Sequence, residues 1–447
     1  MDRTYLTGEK VLLVFGALLI IMGIICNEWL LTKWLCLNGD IEYRVKVSIR
    51  IVEIILIAIG TIIIVFRKKV LTMNMSILLI TLLILFVGAE IFFRAFLPQE
   101  KTGVSDNLFA YDSTLGWQLI PNKTGYFVSK HEFKTKIMIN SNGMRDREYP
   151  SVKPQGEKRI AVLGDSFTSS FGATDAETFA KVMEAKLINN TEVLNFGVNG
   201  YGPTQELLLL QTRAIKYSPD LVIMIVYVGN DFDDIQGISG WIDGYERPKA
   251  MLDKQGQLRM TNIPVPLSKK YLAMKQEHKV CNLPRSHFID FINQSIRYIR
   301  RDKYDIGFMP AELRLCKKDT GPEMKEAFRL MREIIGEADS YCKKNGASFM
   351  VAIAPTIVQV YDQIYWEKII KRYNLNSKDY DLYLPNRVLD DICRKSGIPV
   401  IDLTKALKSS VDEGRDTYYF QNQHWNKTGE QVVAETLTHF IVIKKLL

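Results

Sequence analysis

Cysteine is scarce in this chain of 447 residues, which has six cysteines and no Cys-x-x-Cys pair. So few cysteines exclude a fold held together by a disulfide framework. A single bridge between Cys281 and Cys316 stays open if that part of the chain lies outside the cytoplasm. Long basic runs interleaved with aromatic residues are missing too, and 58 Lys and Arg against 50 Asp and Glu leave a net charge of +8. We therefore expect no nucleic-acid partner.

Internal repeats and low-complexity tracts are also missing, and the composition is 47% hydrophobic and 24% charged. These values exclude a largely disordered or collagen-like chain. The length predicts two to three domains. Long apolar runs dominate the N-terminal part, whereas the remainder has the composition of a soluble domain. We predict a membrane region at 1–97, a juxtamembrane accessory segment of short strands and turns at 98–157, and a soluble domain at 158–447.

Three apolar runs lie in the N-terminal part, namely Val11–Cys26, Val47–Phe66 and Met75–Phe93. A helix needs ~20 mostly apolar residues to cross the hydrocarbon core of a bilayer, so we predict three transmembrane helices. The residues after the first run, 24–28, are unlike the small-residue cleavage site of a signal peptide. We therefore expect the first helix to stay uncleaved.

Basic residues between the runs predict the orientation of the chain. Arg67, Lys68 and Lys69 form a compact basic loop, which the positive-inside rule places in the cytoplasm. Everything after Leu97 is then extracytoplasmic in a multi-pass protein, although basic residues in the first loop weaken the bias. Glu90 can pair with a basic residue four positions later on the third helix, as an interfacial ion pair or as part of a proton relay.

From residue 158 onward, apolar strands alternate with amphipathic helices, which predicts a three-layer α/β fold with a parallel sheet and right-handed crossovers. The predicted strands are 160–164, 193–196, 221–228, 348–354 and 399–403. The predicted helices are 177–188, 203–217, 322–344 and 385–395. An insertion at about 232–320, with an aromatic amphipathic helix at 288–301, interrupts this alternation. Insertions of this size often shape a binding site.

Residues that could carry out acyl transfer follow three predicted strands and precede the last helix. Ligands of open α/β sheets bind outside the carboxyl ends of the strands, so these segments should meet in one crevice. Ser166 lies on a tight turn as a candidate nucleophile, and His424 is a candidate base for it. The backbone N–H groups of Ser166 and Gly200 and the side-chain amide of Asn230 could surround a developing oxyanion.

These blocks resemble the SGNH/GDSL hydrolase family over about residues 158–445. They appear in the family order as GDSF, NFGVNG, GND and HWN, and the YDSTLGWQLIPN and INSNGMRD runs are similar to membrane-tethered bacterial members. The resemblance implies that Ser166 is the nucleophile, His424 the base, and Gly200 and Asn230 oxyanion donors. Asp165 and Asp231 would shape their turns. It also implies a flavodoxin-like sheet and activity on acyl esters without a metal or organic cofactor.

One position departs from the family pattern. Family members usually have an Asp two or three residues before the histidine, where this chain has Asn422 and Gln421. An Asn can orient a histidine in place of a carboxylate. A Ser–His dyad, or an acid from elsewhere such as Asp416, is also open. The departure does not change the predicted fold, but it puts catalytic turnover in question.

The sequence thus predicts a membrane-anchored serine esterase or O-acyltransferase that acts on acyl esters, with cell-surface carbohydrates as the expected substrates. The bilayer and a membrane acyltransferase are the expected partners. One alternative is a catalytically degenerate binding or scaffold protein of a cell-envelope acylation system. Another is a transporter or sensor whose function lies in the three apolar helices.

Overall fold

The computed structural model describes residues 2–25, 27, 43–67, 70–99, 102–104, 108–129, 132–187, 190–237, 245–268, 286–300 and 313–447. Cys281 lies outside the described residues, so the structure does not test a disulfide bridge between Cys281 and Cys316. The chain divides into two compact units. One comprises 1–100 with 269–301, and the other comprises 101–268 with 302–447.

The helices in chain order are α1 Asp2–Ile25, α2 Tyr43–Phe66, α3 Val70–Phe96, α4 Phe179–Lys186, α5 Pro203–Thr212, α6 Asp231–Ile235, α7 His287–Arg300, α8 Pro322–Lys344, α9 Ile357–Val360, α10 Asp362–Arg372, α11 Leu384–Lys395, α12 Thr404–Asp412 and α13 Lys427–Lys444. The strands are β1 Gly103–Val104, β2 Phe109–Asp112, β3 Gly116–Leu119, β4 Thr124–Ser129, β5 Phe133–Met138, β6 Lys158–Leu163, β7 Thr191–Asn195, β8 Leu221–Tyr227, β9 Lys249–Leu252, β10 Leu258–Thr261, β11 Ser348–Ala354 and β12 Val400–Asp402.

The first unit consists of α1, α2, α3 and α7. Among the described residues, two stretches are long and apolar enough to cross a bilayer, Ile49–Phe66 in α2 and Ile77–Phe96 in α3. The three predicted spans are thus supported for two helices, and a span in α1 stays a prediction. Helix α1 packs closely on α2, since a Cβ built on Gly16 would lie 2.8 Å from the carbonyl oxygen of Gly60.

Glu90 near the end of α3 accepts hydrogen bonds from four residues within this unit. Its Oε1 accepts a hydrogen bond from Arg94 Nε at 2.5 Å. The same carboxylate accepts the hydroxyl of Ser286 and the N–H groups of His287 and Phe288 at 2.7 to 3.1 Å, so it caps the N-terminus of α7. This geometry favours the ion pair with a structural role over a proton relay.

The second unit is built around a parallel five-stranded sheet with the order β12-β11-β8-β6-β7. Numbered along the chain from β6, this is the order 2-1-3-4-5 of flavodoxin-like sheets. The α/β class and the parallel sheet predicted from the sequence are therefore confirmed. Every residue of β8 is buried, because the strand has neighbours on both edges and helices on both faces.

Alternate residues of the central strands point to opposite faces of the sheet and enter two separate cores. Ala161 and Leu163 pack in the core that contains α5, α8 and α11. Ile160 and Val162 pack in the core that contains α4, α9, α10, α12 and α13. Together the two helical layers and the sheet form three layers.

The accessory segment belongs to the same compact unit as the sheet. It contains the antiparallel pair β2–β3 and the antiparallel sheet β1-β4-β5. Trp117 and Phe127 bury their rings in the core of the sheet face that carries α5. The indole N–H of Trp117 donates to the carbonyl of Asn199 at 3.1 Å, so the segment is tied directly to the loop after β7.

Candidate active site

Ser166 lies on a tight turn at the carboxyl end of β6. Gly164 opens the turn, and a Cβ built there would lie 2.0 Å from the hydroxyl oxygen of Thr168, so a larger residue would force this turn apart. Asp165 closes the turn, because its carboxylate accepts the N–H of Phe167 at 2.8 Å. Burial raises the pKa of Asp165 to about 6. The turn sets the Ser166 hydroxyl at the sheet edge, between the loops that follow β7 and β8.

The structure brings Ser166 and His424 together although 258 positions separate them in the chain. The Ser166 hydroxyl oxygen lies 2.7 Å from His424 Nε2. His424 precedes α13, whose N-cap is Asn426, with its side-chain oxygen accepting the N–H of Gly429 at 3.0 Å. A cap of this kind fixes where the helix begins and hence where the preceding histidine lies.

The second ring nitrogen of His424 determines which tautomer faces the serine. Nδ1 lies 3.0 Å from the backbone carbonyl oxygen of Asn422. A carbonyl oxygen can only accept a hydrogen bond, so Nδ1 carries the hydrogen and Nε2 presents its lone pair to the Ser166 hydroxyl. This is the tautomer that a general base needs in order to take the proton of the serine.

Aromatic residues surround the imidazole and keep it in its neutral form. The ring of Phe167 stacks on His424 with centroids 4.6 Å apart, and the ring of Phe171 lies 5.1 Å away. Burial lowers the pKa of His424 to about 4, against the opposing effect of the hydrogen bond to Asn422. At neutral pH the imidazole is therefore uncharged.

The orienting group is a peptide carbonyl and differs from what the sequence predicted. Asn422 orients His424 through its backbone, whereas its side-chain oxygen is buried without a hydrogen-bond partner. Gln421 donates its backbone N–H to the carboxylate of Glu132 at 2.7 Å. His424 Nδ1 faces the Asn422 carbonyl, whereas the carboxylate of Asp416, the other candidate acid, accepts the hydroxyl of Tyr361 at 3.4 Å. The sequence could not distinguish these alternatives, since any residue type carries a carbonyl.

Two predicted oxyanion donors follow the strands that flank β6. Gly200 follows β7 and has a φ of +77°, a left-handed conformation that glycine adopts without strain. Asn230 follows β8, and its side-chain amide donates to Asp234 at 2.6 Å. A side-chain amide has two hydrogens, so one remains for a ligand.

Asp234 and Arg247 form a buried ion pair behind Asn230. Arg247 donates to the carboxylate of Asp234 at 2.7 Å, and the two side chains are 7% and 1% exposed. Burial raises the pKa of Asp234 to about 7, although Arg247 lowers it. Gly202 allows Asp234 to approach, since a Cβ there would lie 2.5 Å from the Asp234 Cβ. Asp231 closes the neighbouring turn by accepting the N–H of Tyr227 at 2.7 Å.

Sequence reasoning missed the contribution of the accessory segment to this site. Phe127 of β4 stacks on Phe171 with ring centroids 4.4 Å apart, and Phe133 of β5 lies 4.6 Å from Tyr419. The carboxylate of Glu132, in the turn between these strands, accepts two backbone N–H groups of the His424 loop. Glu132 lies 289 and 290 positions from its two partners, and no motif spacing links it to them.

The fold and the site define a flavodoxin-like α/β protein with a serine–histidine pair at the carboxyl edge of its sheet. Residues 317–446, less than a third of the chain, match a family described as the SGNH hydrolase-like domain of the acetyltransferase AlgX. This match confirms the resemblance to the SGNH family. The match includes the His424 block. It begins at residue 317, so the other three blocks lie before it in the chain. No curated protein matches the chain.

Solved structures of a lipolytic protein and of acetylxylan esterases share distant similarity with the chain. A lipolytic protein of the G-D-S-L family from Veillonella parvula is 11% identical, with 63% of this chain and 97% of that chain covered and a TM-score of 0.32. A catalytic mutant of Axe2, an acetylxylan esterase from Geobacillus stearothermophilus, is 10% identical, with 64% and 94% covered and a TM-score of 0.32. The acetyl xylan esterase AlAXEase is 13% identical, with 62% and 97% covered and a TM-score of 0.31. TM-scores of this size do not establish a common fold, so the fold assignment rests on the strand order.

Proposed function

We propose that this protein is a membrane-anchored SGNH-type serine esterase or O-acyltransferase acting on acyl esters of cell-surface carbohydrates. One observation carries the proposal, namely the 2.7 Å contact between the Ser166 hydroxyl and the lone-pair nitrogen of His424. The tautomer set by the Asn422 carbonyl supports the role of His424 as a base. The acetyltransferase named in the family description supports acetyl as the acyl group.

The proposed reaction begins when the Ser166 oxygen attacks the ester carbonyl carbon and His424 Nε2 takes the hydroxyl proton. The carbonyl oxygen becomes an oxyanion, which the N–H groups of Ser166 and Gly200 and the free amide hydrogen of Asn230 stabilise. When the tetrahedral intermediate collapses, His424 returns the proton to the leaving alkoxide and an acyl-serine remains. Water then gives hydrolysis, whereas a sugar hydroxyl gives acyl transfer, and His424 accepts the proton of either nucleophile.

A serine-directed fluorophosphonate tests this chemistry in membranes that contain the full chain. Wild type should be labelled covalently, Ser166→Ala should not be labelled, and His424→Ala should be labelled at least ~10³-fold more slowly. The Ser166→Ala protein controls for reaction at other hydroxyls. If wild type shows a cooperative melting transition, and is therefore folded, but is not labelled, the proposal is wrong.

The scaffold alternative is favoured by one observation, namely that His424 Nδ1 contacts a peptide carbonyl where a triad would have a carboxylate. Without a carboxylate the imidazolium that forms during attack is poorly stabilised, because the pKa of His424 is already lowered to about 4. A scaffold would bind an acylated carbohydrate without turning it over. Binding that is equal in wild type and Ser166→Ala, with no fluorophosphonate labelling of wild type, identifies this alternative.

The membrane setting is also a proposal, with three spanning helices and the second unit outside the cytoplasm. The apolar lengths of α2 and α3 support it. Lys123, an exposed residue of the accessory segment, provides the test. In a parent protein with Cys26, Cys36 and Cys281 replaced by serine, a membrane-impermeant maleimide should label Lys123→Cys on intact cells. The parent itself should stay unlabelled, because its remaining cysteines, Cys316, Cys342 and Cys393, are buried. Labelling only after lysis would overturn the extracytoplasmic assignment.

A further inference from the structure

Glu132 connects the accessory segment to the loop that carries His424. It lies in the turn between β4 and β5, where its N–H donates to the Ser129 carbonyl at 3.1 Å. Its carboxylate accepts the N–H of Gln421 at 2.7 Å and the N–H of Asn422 at 2.9 Å. One charged side chain therefore holds two consecutive peptide groups. Hydrogen bonds of this charge-assisted kind are stronger than those between neutral groups.

The two held peptide groups come directly before the carbonyl that orients His424. On the other side of that carbonyl, the N–H of Gln423 donates to the Tyr419 carbonyl at 2.8 Å. The Asn422 carbonyl thus lies between two anchored points and faces His424 Nδ1 at 3.0 Å. If Glu132 released its side, the carbonyl could rotate away, because a hydrogen bond weakens steeply once distance and angle depart from their preferred values.

Packing fixes the position of Glu132 itself. The hydroxyl of Thr135 in β5 donates to the Gly172 carbonyl at 2.9 Å, in the loop that follows Ser166. The hydroxyl of Ser129 donates to the Glu132 carboxylate at 2.8 Å. The hairpin is therefore attached to both sides of the serine–histidine pair, and the carboxylate has little freedom to leave the 421–422 backbone.

We propose that Glu132 is a positioning residue for the reaction, holding the backbone of Gln421 and Asn422 so that the Asn422 carbonyl orients His424. It stands in for the acidic residue that SGNH hydrolases place before the histidine, but it acts through a peptide group and makes no contact with the imidazole. The inference rests on the proposed Ser166–His424 chemistry. It gives the accessory segment a part in that chemistry.

The substitution Glu132→Gln tests this role because it keeps the side-chain size and replaces one acceptor oxygen by an N–H₂ group. We expect the rate of fluorophosphonate labelling of the full chain in membranes to fall roughly tenfold. In a His424→Ala background the same substitution should leave the residual rate unchanged, because there is no imidazole left to orient. Equal losses in both backgrounds would overturn the proposal.

Glu148→Gln is the matched control, since it makes the same change in another carboxylate of the accessory segment. Glu148 accepts the backbone N–H and the hydroxyl of Ser141, both at 2.7 Å, and neither bond involves the 421–422 backbone. We expect labelling of Glu148→Gln to stay within twofold of wild type. If Glu148→Gln slows labelling as much as Glu132→Gln does, the accessory segment has a structural role only and the proposal is wrong.

The tautomer of His424 gives a readout that does not depend on turnover. The chain has five histidines, so selective ¹⁵N-histidine labelling resolves their ring nitrogens, and His424→Ala assigns the signal. Wild type should show hydrogen on Nδ1, whereas Glu132→Gln should show a mixture of tautomers. If wild type does not react with the fluorophosphonate but Glu132→Gln still changes the tautomer, the proposed function is refuted and the role of Glu132 stands. An unchanged tautomer in Glu132→Gln overturns the inference, whatever the labelling.

Discussion

The base side and the oxyanion side of the candidate active site hold their polar groups by different means. On the base side, an uncharged carbonyl of Asn422 orients His424 at 3.0 Å. On the oxyanion side, the carboxylate of Asp234 orients the amide of Asn230 at 2.6 Å and pairs with Arg247. Among the described residues, a buried ion pair thus lies beside the amide, whereas the Nδ1 of the base contacts an uncharged carbonyl.

This difference changes where transition-state stabilisation can come from. A carboxylate on the histidine would stabilise the imidazolium that forms when the serine is deprotonated, whereas a carbonyl dipole mainly sets the ring orientation. The buried and neutral His424 offers less of that stabilisation. In the proposed reaction, a larger share of the stabilisation then falls on the donors of the oxyanion side, where a rigid amide does not have to reorganise.

The largest expected effect is on the ion pair of the oxyanion side. Arg247→Met leaves the Asp234 carboxylate buried without its cation, which costs about 3 kcal/mol of folding free energy at pH 9. The loss should be smaller at pH 6, because the pKa of Asp234, already raised to about 7, rises further and the group takes up a proton. Thermal unfolding of both proteins at pH 6 and pH 9 measures the difference.

Arg259→Met is the matched control for that substitution. Arg259 pairs with Asp253 at 2.9 Å, but its side chain is 61% exposed. Removing an exposed pair should cost less than about 1 kcal/mol at either pH. Equal losses in the two variants would show that the Asp234–Arg247 pair contributes no more than a surface contact.

The next effect concerns the amide that this ion pair holds. Asn230→Ala should lower kcat for a small acyl ester about 10²- to 10³-fold with little change in KM, because the lost hydrogen bond matters mainly in the transition state. Asn376→Ala, which removes an exposed capping residue, serves as the control. A kcat within threefold of wild type would exclude Asn230 as an oxyanion donor.

The pH dependence of fluorophosphonate labelling tests whether His424 is an uncharged base. His424 acts in its uncharged form, and its pKa of about 4 keeps that form dominant well below neutral pH. The fluorophosphonate rate should therefore change less than about twofold between pH 7 and pH 5.5, whereas a histidine with the usual pKa would lose about tenfold. Asp165→Asn removes the nearby carboxyl whose pKa is about 6 and should leave this profile unchanged. A tenfold loss at pH 5.5 in both proteins contradicts a buried neutral base.

Much of the second unit could be predicted from the sequence because its elements have strong periodicity. The predicted helix 322–344 and strand 348–354 have the observed bounds, since each is long and ends at a clear signal. The predicted helix 203–217 breaks after Thr212 and continues as a 3-10 turn. Helices α10 and α12 were not predicted, because neither begins with a residue whose side chain caps the helix.

In the candidate site too, some residues could be predicted from their side-chain chemistry, whereas others act through backbone geometry that the sequence does not reveal. Ser166 and His424 could be predicted because their side chains suit the proposed reaction and lie in recognisable segments. The Asn422 carbonyl could not, since every residue has one and only the folded loop gives it a direction. Glu132 also escaped prediction, because its partners are backbone N–H groups that leave no trace in sequence.

The smallest expected effect lies in the turn between Asn422 and His424. Gln423 has a φ of +65°, a left-handed conformation that costs a non-glycine residue about 1 kcal/mol. Gln423→Gly removes this strain but adds freedom to the unfolded chain, so stability should change by less than about 1 kcal/mol and labelling should persist. Gln423→Val, whose branched side chain tolerates this conformation poorly, should destabilise by about 1 to 2 kcal/mol and slow labelling as the Asn422 carbonyl moves. Chemical unfolding and fluorophosphonate rates on both variants make the comparison. If Gln423→Val is labelled as fast as Gln423→Gly, the turn does not set the direction of the Asn422 carbonyl. The orientation of His424 must then come from the aromatic rings around it.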